Sequence, residues 1–341
     1  MTARPVLFVT NLVAPDRVGA FRALHARSGI ELALFGGRSH HATGGVADPG
    51  VPARAVEQSD VLALAATGRY RAVVCGTAGR LALPAAWAGA RAAGVPFVLW
   101  SALWAHPRSA AHVAGSLLLR TLYHDADAVV AYGPHVASFA RRNGARRVAI
   151  APQAVDGAFW SAPPEGPEWR RGADFAVVFV GRDAPGKGLD VLLDAWARVR
   201  TGPPSGVLAL VGVDGMPGAV GRQPPASVRN FLASADVVVV PSRRTSTFRE
   251  PWGLVCNEAM HAGTPVIATD QVGAAAGGLV RNGRNGLVVP AEDPAALAAA
   301  LRLLRDDPEL RARLAAAARE DVAPYTFAAW AEGFAQVLPL A

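Results

Sequence analysis

The chain has 341 residues, 51% of them hydrophobic, and a net charge of +7 at pH 7, so it is long enough to fold into two domains with separate cores. It has only two cysteines and no apolar run long enough to span a bilayer, which argues against a disulfide framework, a cysteine-rich metal site and a helical membrane protein. No nucleic-acid-binding motif accompanies the basic charge. Because the chain opens on an apparent strand instead of a signal peptide, we expect a cytoplasmic protein.

The first half of the sequence alternates short apolar segments with alanine-rich stretches. This pattern is typical of βαβ units and predicts an α/β domain with a parallel, doubly wound sheet. The predicted strands are Val6–Thr10, Glu31–Phe35, Ala72–Gly76, Pro96–Ser101, Ala128–Tyr132 and Val148–Ala151. The turn after the first strand lacks a G-x-G-x-x-G motif, which argues against a nicotinamide dinucleotide site.

Positive charge is concentrated in this half. Residues 1–150 contain 16 arginines and seven acidic residues, a net charge of +9, whereas residues 151–341 have a net charge of −2. A predicted helix, Arg108–His124, places Arg120 beside four leucines, and four further arginines follow at 141, 142, 146 and 147. We predict that this surface binds an anionic membrane peripherally. The alternative is that the leucines face the core and the arginines are simply solvated.

A dense run of proline and glycine follows the last of these strands, at Pro163, Pro164, Gly166 and Pro167. Such a run breaks helices and predicts an interdomain linker. We therefore place a first domain at residues 1–155, the linker at 156–173 and a second domain at 174–325, with a final segment at 326–341.

The second domain opens on a buried strand that leads into a glycine-rich loop, Gly181–Gly188, and then a helix. Glycine lets the backbone approach a ligand, and Arg182 and Lys187 add positive charge beside a helix start, where a diphosphate is already favoured. Lys187 is the only lysine in the chain, against 33 arginines. We predict that Arg182 and Lys187 bind phosphates.

Two glutamates stand around the start of a later helix. Glu250 follows a predicted strand that ends near Val240, at the carboxyl edge where open α/β sheets bind ligands, and Glu258 lies inside the helix that begins after Gly253. The first N–H groups of that helix, near Gly253 and Leu254, are available to an anion. The alternative is that both acids are solvated surface residues.

This region resembles a known family. The residues from Glu250 to Ile267 follow the pattern E-P-W-G-L-V-x-N-E-A-M-x-A-G-T-P-V-I, and the earlier loop follows G-R-x-x-x-x-K-G, both similar to retaining GT-B glycosyltransferases of family four, the glycosyl transferases group 1. The resemblance implies two facing Rossmann-like domains with a cleft between them, an acceptor site in the first and a nucleotide-sugar site in the second. It also implies that segment 326–341 crosses back to the first domain.

The resemblance assigns roles to individual residues. Glu250 would contact hydroxyls of the donor sugar, Glu258 would hold the ribose, and the N–H groups of Gly253 and Leu254 would face the sugar-phosphate. In the first domain it implies an acceptor-side role for His106. Gly19 would allow a phosphate to approach, although many relatives have two adjacent glycines here.

Two further segments depart from the family pattern. Residues 152–156 read Pro-Gln-Ala-Val-Asp where relatives have P-N-G-V-D, and only a short span separates the strand ending near Gly212 from the helix near Ala226. Family members place a helix and a strand in that span, close to the nucleobase pocket, which leaves the base open.

The function implied is a retaining, metal-independent glycosyltransferase without a cofactor, using a nucleotide-sugar, UDP before GDP. Arg182, Lys187, Glu250 and His106 are the candidate catalytic residues, and the acceptor would be a small molecule or a lipid of the cell envelope. One alternative is a GT-B sugar-nucleotide epimerase or phosphorylase. The other is a non-catalytic, membrane-associated partner protein with the same fold.

Overall fold

The computed structural model describes residues 4–36, 48–106, 110–165, 168–170, 172–199 and 206–340. The chain forms two compact units. Unit 1 comprises Met1–Asp156 and Tyr325–Ala341, and unit 2 comprises Gly157–Pro324.

Unit 1 is built on a parallel sheet. Its strands in the described part of the chain are β1 Val6–Thr10, β2 Ile30–Leu34, β3 Ala53–Ala55, β4 Ala72–Gly76, β5 Phe97–Ser101, β6 Ala128–Ala131 and β7 Val148–Ile150, in the order β3-β2-β1-β4-β5-β6-β7. Its helices are α1 Val18–Ser28, α2 Val61–Ala65, α3 Ala82–Ala93, α4 Ala110–Asp125, α5 Pro134–Arg142 and, from the later part of the sequence, α13 Phe327–Ala335. All six strands predicted for this half are present, with ends that differ by at most one residue. The short edge strand β3 was not predicted, because its alternating exposed residues carry no apolar signal.

An aromatic core lies on one face of this sheet, under α1 and α13. Trp330 of α13 is fully buried, and its ring centroid lies 5.6 Å from that of Phe21 and 5.9 Å from that of Trp100. A Cβ added at Gly333 would lie 2.3 Å from the carbonyl oxygen of Ile150, so glycine is needed for α13 to approach β7 this closely. Segment 326–341 is therefore an integral part of the core of unit 1.

Unit 2 repeats the same architecture. Its described strands are β8 Phe175–Val180, β9 Gly206–Val211, β10 Ala219–Gly221, β11 Val237–Val240, β12 Val266–Thr269 and β13 Gly286–Val289, in the order β10-β9-β8-β11-β12-β13. Its helices are α6 Gly157–Trp160, α7 Leu189–Val199, α8 Pro225–Ala233, α9 Val255–Ala262, α10 Gly273–Ala276, α11 Pro294–Asp306 and α12 Pro308–Val322. In both units the first six strands lie in the order third, second, first, fourth, fifth, sixth, and unit 1 adds a seventh strand beside the sixth. This is the order of a doubly wound Rossmann sheet.

The predicted linker, residues 156–173, is mostly part of unit 2 instead of a free connection. Trp169 donates a hydrogen bond from Nε1 to Ser234 Oγ at 2.7 Å, and its ring lies 5.3 Å from that of Phe231. Arg170 forms an ion pair with Asp236 at 2.7 Å. The proline and glycine run correctly marks a break in helix, but these anchored side chains hold the segment on unit 2. Gly166 and Pro167 lie outside the described residues.

The span between β9 and α8 keeps a strand. The sequence suggested that both a helix and a strand were lost, whereas β10 is present and pairs in parallel with β9. The connection between the two strands turns through Gly212, Gly215 and Gly218, all with positive φ. Parallel strands are usually joined by a crossover helix, so this tight glycine turn replaces one. An open cavity of about 640 Å³, lined by Asp214 and by residues 215–217 and 219–221, lies on this connection.

Candidate active site

The candidate site of unit 2 lies at the carboxyl ends of β8 and β11. These neighbouring strands are the first and fourth of the sheet, and their connections leave in opposite directions along it. Open α/β sheets bind ligands at such a switch point. The loop after β8 carries Lys187, and the loop after β11 carries Glu250.

Glycine brings the two loops into contact. Residues Pro185–Lys187 form one turn of 3-10 helix, which ends at Gly188 with φ of +66°. A Cβ at Gly188 would lie 2.0 Å from the carbonyl oxygen of Pro241, at the end of β11, so a side chain there would push the turn away. The second loop also holds the turn, because Arg243 donates from its backbone nitrogen to Gly186 at 3.0 Å.

Lys187 and Glu250 form a buried ion pair. The Lys187 Nζ lies 2.5 Å from Glu250 Oε2, and the side chains are 24% and 2% exposed. Ser242 Oγ donates a second hydrogen bond to the same oxygen at 3.3 Å. A carboxylate withdrawn from water requires such partners, so the alternative of Glu250 as a solvated loop acid is wrong. The sequence assigned the two residues to different parts of the donor, and the structure joins them.

The start of α9 faces the same place. Gly253 has φ of +87°, and a Cβ there would lie 3.7 Å from Glu250 Cγ. Cys256 donates from its backbone nitrogen to Gly253, and Glu258 donates in the same way to Leu254. The first turn of α9 thus begins beside Glu250, and N–H groups at a helix start favour an anion.

The pKa of the Cys256 thiol is affected by the charges of several candidate residues. Burial raises the pKa of its thiol, the negative charges of Glu250 and Glu258 raise it further, and the positive charge of Lys187 opposes them. The pKa of this one buried thiol is therefore affected by three charged candidate residues. A thiol in such a setting stays protonated and acts as a core residue.

A segment that sequence reasoning missed supports Glu250 from behind. Gly273, the first residue of α10, donates from its backbone nitrogen to Glu250 O at 3.1 Å, and Ala274 donates to Trp252 O at 2.7 Å. A Cβ at Gly273 would lie 2.0 Å from Pro251 O. The only sequence signal was the glycine, because α10 has four residues and no amphipathic period.

The other candidates of unit 2 are placed less firmly. Glu258 is half-buried in the first turn of α9, on the carboxyl side of the sheet. Arg182 follows Gly181 at the end of β8, and its side chain is exposed. Within the described part of the chain, the structure does not bring Arg182 into the Lys187 and Glu250 pair. The phosphate role of Arg182 stays a prediction.

His106 lies beyond the end of β5 in unit 1 and is half-buried. Its Nε2 lies 3.1 Å from Asn143 Oδ1, and its ring centroid lies 4.8 Å from that of Phe139. Because Asn143 Nδ2 donates to Phe139 O at 2.9 Å, the Asn143 oxygen faces His106, and His106 Nε2 is the donor. The imidazole is thus held in a defined orientation, and its catalytic role stays a prediction.

Gly19 has a packing reason to be glycine. It is the second residue of α1, and a Cβ there would lie 2.2 Å from Cε2 of Phe327 in α13. The space that a side chain would need is taken by an aromatic ring of the same unit. This contact accounts for the residue without a phosphate, and its donor-binding role is untested.

The described residues lack two features that would indicate other classes of protein. They contain no group of three or more His, Cys, Asp and Glu side chains arranged to hold a metal ion. Among the same residues, no helix combines the length and the apolar character needed to cross a bilayer.

Part of the chain that carries the candidate site matches a known family. Residues 174–307, which include the Lys187 turn, the Glu250 loop and α9, match the family model described as Glycosyl transferases group 1. These residues are thus similar to the glycosyl transferases group 1 family. The family resemblance on which the site residues were assigned is thereby confirmed.

Curated relatives of this family match only part of the chain. The chain is 37% identical over 172 residues to a D-inositol 3-phosphate glycosyltransferase of Thermomonospora curvata, a match that covers 42% of this chain and 38% of that relative. A protein of the same name from Jonesia denitrificans is 34% identical over 174 residues, covering 44% and 39%. The chain thus spans about two fifths of the length of the curated relatives it matches.

Solved structures match the whole chain in fold. HepE of Anabaena, crystallised with UDP and glucose, superimposes with a TM-score of 0.76 over 98% of this chain and 99% of its own, at 19% identity. A sucrose-phosphate synthase of Thermosynechococcus elongatus gives a TM-score of 0.74, with 98% of each chain covered and 21% identity. These likenesses confirm the prediction of a GT-B fold with two Rossmann-like domains.

Proposed function

We propose that this protein is a retaining glycosyltransferase that moves a sugar from a nucleotide-sugar, UDP before GDP, to a small-molecule or lipid-linked acceptor. The observation that carries the proposal is the Lys187 and Glu250 ion pair at the switch point of the sheet of unit 2. A compact cation next to a buried acid offers one group for a phosphate and one for a sugar hydroxyl. The family match of residues 174–307 and the UDP complex of HepE support a nucleotide-sugar donor.

Each donor residue has a distinct task in this proposal. Lys187 and Arg182 bind the diphosphate, and the N–H groups of Gly253 and Leu254 at the start of α9 face the sugar-phosphate. Glu250 accepts hydrogen bonds from donor-sugar hydroxyls, and Glu258 holds the ribose. Arg182 and Lys187 lie in the loop after β8, Glu250 lies in the loop after β11, and Glu258 lies in the first turn of α9. An extended ligand can contact all of these segments.

The ion pair couples two of these tasks. Glu250 Oε2 now accepts from Lys187 and Ser242, so a donor hydroxyl that reaches Glu250 competes with the lysine for the same carboxylate. A diphosphate competes with Glu250 for the ammonium. A complete donor offers both partners at once, whereas a free nucleotide diphosphate offers only one. We therefore expect the pair to open most readily for the intact nucleotide-sugar.

In the transfer step the bond between the anomeric carbon and the diphosphate oxygen breaks, and the bond to the acceptor oxygen forms on the same face. The diphosphate takes the bonding electron pair and then the acceptor proton, so configuration is retained. Fixed cations aimed at the departing diphosphate stabilise the charge that develops there, the task that a metal ion performs in other enzymes. We propose that Lys187 and Arg182 perform it here and that neither a metal nor a cofactor is required.

The acceptor side is proposed for unit 1, with His106 oriented by Asn143 as the candidate contact. Leu117 and Leu118 on α4 are 71% and 44% exposed, whereas Leu122 is buried. Arg120, Arg141 and Arg142 are exposed in the same unit. This mixture supports peripheral binding to the inner face of an anionic membrane by a cytoplasmic protein. Arg108, which belongs to the predicted helix, lies outside the described residues.

A donor screen tests the proposal. The full chain is incubated with UDP-, GDP- and ADP-sugars, with and without a pool of phosphorylated and lipid acceptors, and released nucleotide and new glycosides are measured by mass spectrometry. We expect glycoside formation with one UDP-sugar, unchanged by excess EDTA, and loss of activity in Lys187→Ala. Nucleotide release without any acceptor would indicate an epimerase or phosphorylase, and no release under any condition would overturn the proposal.

A further inference from the structure

The backbone of the Glu250 loop is held by the segment that begins α10. Gly273 donates from its backbone nitrogen to Glu250 O at 3.1 Å, and Ala274 donates to Trp252 O at 2.7 Å. Glu250 also forms an isolated parallel bridge with Val272. Because its side chain is only 2% exposed and starts from this backbone, the position of the carboxylate depends on where α10 lies.

Helix α10 is itself held from its far end. It has four residues, and a helix of that length has no stability of its own in water. The chain then turns back on it, since the backbone nitrogens of Leu279 and Val280 donate to Ala274 O at 2.9 and 3.0 Å. Leu279 and Val280 are both buried. A group that fixes Leu279 therefore also fixes α10.

One buried amide provides that group. Asn285 is fully buried, and its Nδ2 donates to Leu279 O at 2.8 Å and to Asp321 Oδ2 at 2.8 Å. Its Oδ1 accepts from the backbone nitrogen of Arg281 at 2.7 Å. A side-chain amide has two N–H donors and one oxygen, so these three bonds fix which way the group points. Asn285 thus ties the segment that carries Leu279 to α12.

Asp321 anchors the amide on α12, a helix of 15 residues. Its carboxylate is 8% exposed, accepts from Nε and Nη2 of Arg284 at 2.8 Å each, and pairs with Arg281. Hydrogen bonds from Arg284, and then from Arg281 and Asn285, lower its pKa to about 2, so the acceptor stays charged at neutral pH. Hydrogen bonds therefore run without a break from a long helix to the Glu250 loop.

We propose that Asn285 is a positioning residue for Glu250. Anchored by Asp321, it holds α10 in place and so keeps the Glu250 carboxylate on Lys187. The two charged atoms lie 2.5 Å apart, and the carboxylate is buried, so a small movement of the Glu250 backbone is enough to lengthen the pair. The inference rests on the proposed function for the donor hydroxyl that Glu250 binds. The effect on the ion pair is independent of that function.

The test uses the single lysine of the chain as its probe. Lysine labelled with ¹³C and ¹⁵N gives one set of NMR signals from the full chain, that of Lys187, and Glu250→Gln shows where these signals lie without the ion pair. We expect Asn285→Ala to shift them toward the Glu250→Gln position, because α10 is released. The control Asp293→Ala removes two hydrogen bonds at the start of α11 in the same unit and should leave the signals in place.

A second variant keeps the test valid if Asn285→Ala does not fold. Asp321→Asn preserves the shape of the anchor but removes its charge, and it should shift the Lys187 signals in the same direction by a smaller amount. Circular dichroism establishes that each variant is folded. Signals at the native position in folded Asn285→Ala would overturn the positioning role. If that variant is unfolded, native signals in Asp321→Asn would do so, and an equal shift in Asp293→Ala would also count against the role.

Transfer kinetics separate this inference from the proposed function. Glu250 is proposed to bind the donor sugar and not the nucleotide, so Asn285→Ala should lower kcat about tenfold while UDP affinity changes by less than about twofold. Equal losses of kcat and UDP affinity would indicate general loosening of the site and contradict the specific role. If the native protein transfers no sugar but the Lys187 signals still shift in Asn285→Ala, the proposed function fails and the positioning role stands.

Discussion

The carboxyl ends of the two sheets differ in chemistry although the strands that form them follow the same order. In unit 2 a lysine and a glutamate pair directly and lie beside a helix start. In unit 1 the corresponding edge carries Arg17, which donates a hydrogen bond to the neutral amide of Gln153 and has its Cζ 5.8 Å from the centroid of the Tyr132 ring. The shared fold therefore supplies a location for a site, and the loops alone decide which chemistry occupies it.

The largest expected effect concerns the cation of unit 2. Lys187→Ala should lower turnover by about a hundredfold or more, because a fixed charge at the departing diphosphate is lost. Lys187→Arg keeps the charge but not the compact shape, and we expect an intermediate loss. Steady-state kinetics with the best donor measures both, and Arg198→Ala, an exposed arginine of α7 paired with Asp194, is the control. Near-native rates in both lysine variants would refute the phosphate role.

Substitution of the two glutamates should have different effects, one on UDP binding and the other on sugar transfer. Glu258→Gln should weaken UDP binding by roughly ten- to hundredfold, since a hydrogen bond to a charged group is lost. Glu250→Gln removes the carboxylate that competes for Lys187, so UDP binding should be kept or strengthened while sugar transfer slows. Calorimetry with UDP, followed by transfer kinetics, distinguishes the variants. Equal loss of UDP affinity in both would contradict the division of roles.

The loops that carry Lys187 and Glu250 approach each other closely at Gly188, and this approach can be tested by adding one methyl group there. Gly188→Ala places a Cβ against Pro241 O in addition to the strain of a positive φ. Gly278→Ala is the matched control, because Gly278 also has positive φ but its Cβ would meet nothing within 4 Å. We expect Gly278→Ala to cost about 1 kcal/mol of stability and Gly188→Ala clearly more, with loss of turnover. Equal chemical denaturation midpoints would show that the contact is not needed.

An aspartate of unit 2 should make stability depend on acid pH. In unit 2, hydrogen bonds from Arg284, Arg281 and Asn285 lower the pKa of Asp321 from 3.8 to about 2. Because the folded pKa is depressed, this stabilisation of about 2 kcal/mol is present above pH 3.8 and is lost as the pH falls toward 2. Asp321→Asn should remove the loss of stability in that window, as measured by denaturation at a series of pH values.

Two buried tyrosines of unit 1 should make stability depend on alkaline pH. Burial raises the pKa of Tyr70 and of Tyr123 from 10.0 to about 12, and the hydrogen bond of Tyr70 to Glu31 adds to its rise. Because the folded pKa is raised, the contribution of the neutral phenol is complete below pH 10 and is lost as the pH rises through 12. Ultraviolet titration of the phenols should show late, cooperative ionisation, and titration near pH 10 in the folded protein would contradict it.

The smallest expected effect is at the membrane. Exposed arginines near a bilayer contribute about 1 kcal/mol each, so sedimentation with anionic vesicles should weaken steeply with salt. Leu117→Ser combined with Leu118→Ser should reduce binding at low salt. Leu303→Ser, which changes a leucine of unit 2 that is 48% exposed, should not. Identical sedimentation with anionic and neutral vesicles would exclude a membrane role for this basic surface.

Sequence patterns predicted much of the fold because its strands are buried and bounded by glycine or proline. They also identified Lys187, Glu250 and Glu258 in one region. They did not predict that Lys187 and Glu250, 63 residues apart, form an ion pair. That contact requires glycine at position 188, because a Cβ there would collide with the carbonyl oxygen of Pro241. Pro241 belongs to a loop that is distant in the sequence. The hydrogen bond between Arg17 and Gln153 was not predicted either, since these residues are 136 positions apart.

Local sequence patterns were a poor guide where side-chain contacts hold a segment that its proline and glycine content alone would leave free. The run of proline and glycine at 163–167 indicated a free linker, but Trp169 and Arg170 fasten the following residues to unit 2. Strand β10 was missed because three residues without an apolar pattern give no periodic signal, although the neighbouring β9 pairs with them.

The position of α13 in the core of unit 1 has a consequence for synthesis on the ribosome. All of unit 2, residues 157–324, emerges between the body of unit 1 and the helix that carries Trp330 and Phe334. Until that helix emerges, Phe8, Phe21 and Trp100 lack the two aromatic rings that cover them. Unit 2 is contiguous and can complete its folding first, whereas the nascent unit 1 presents an apolar face that is a natural target for chaperones.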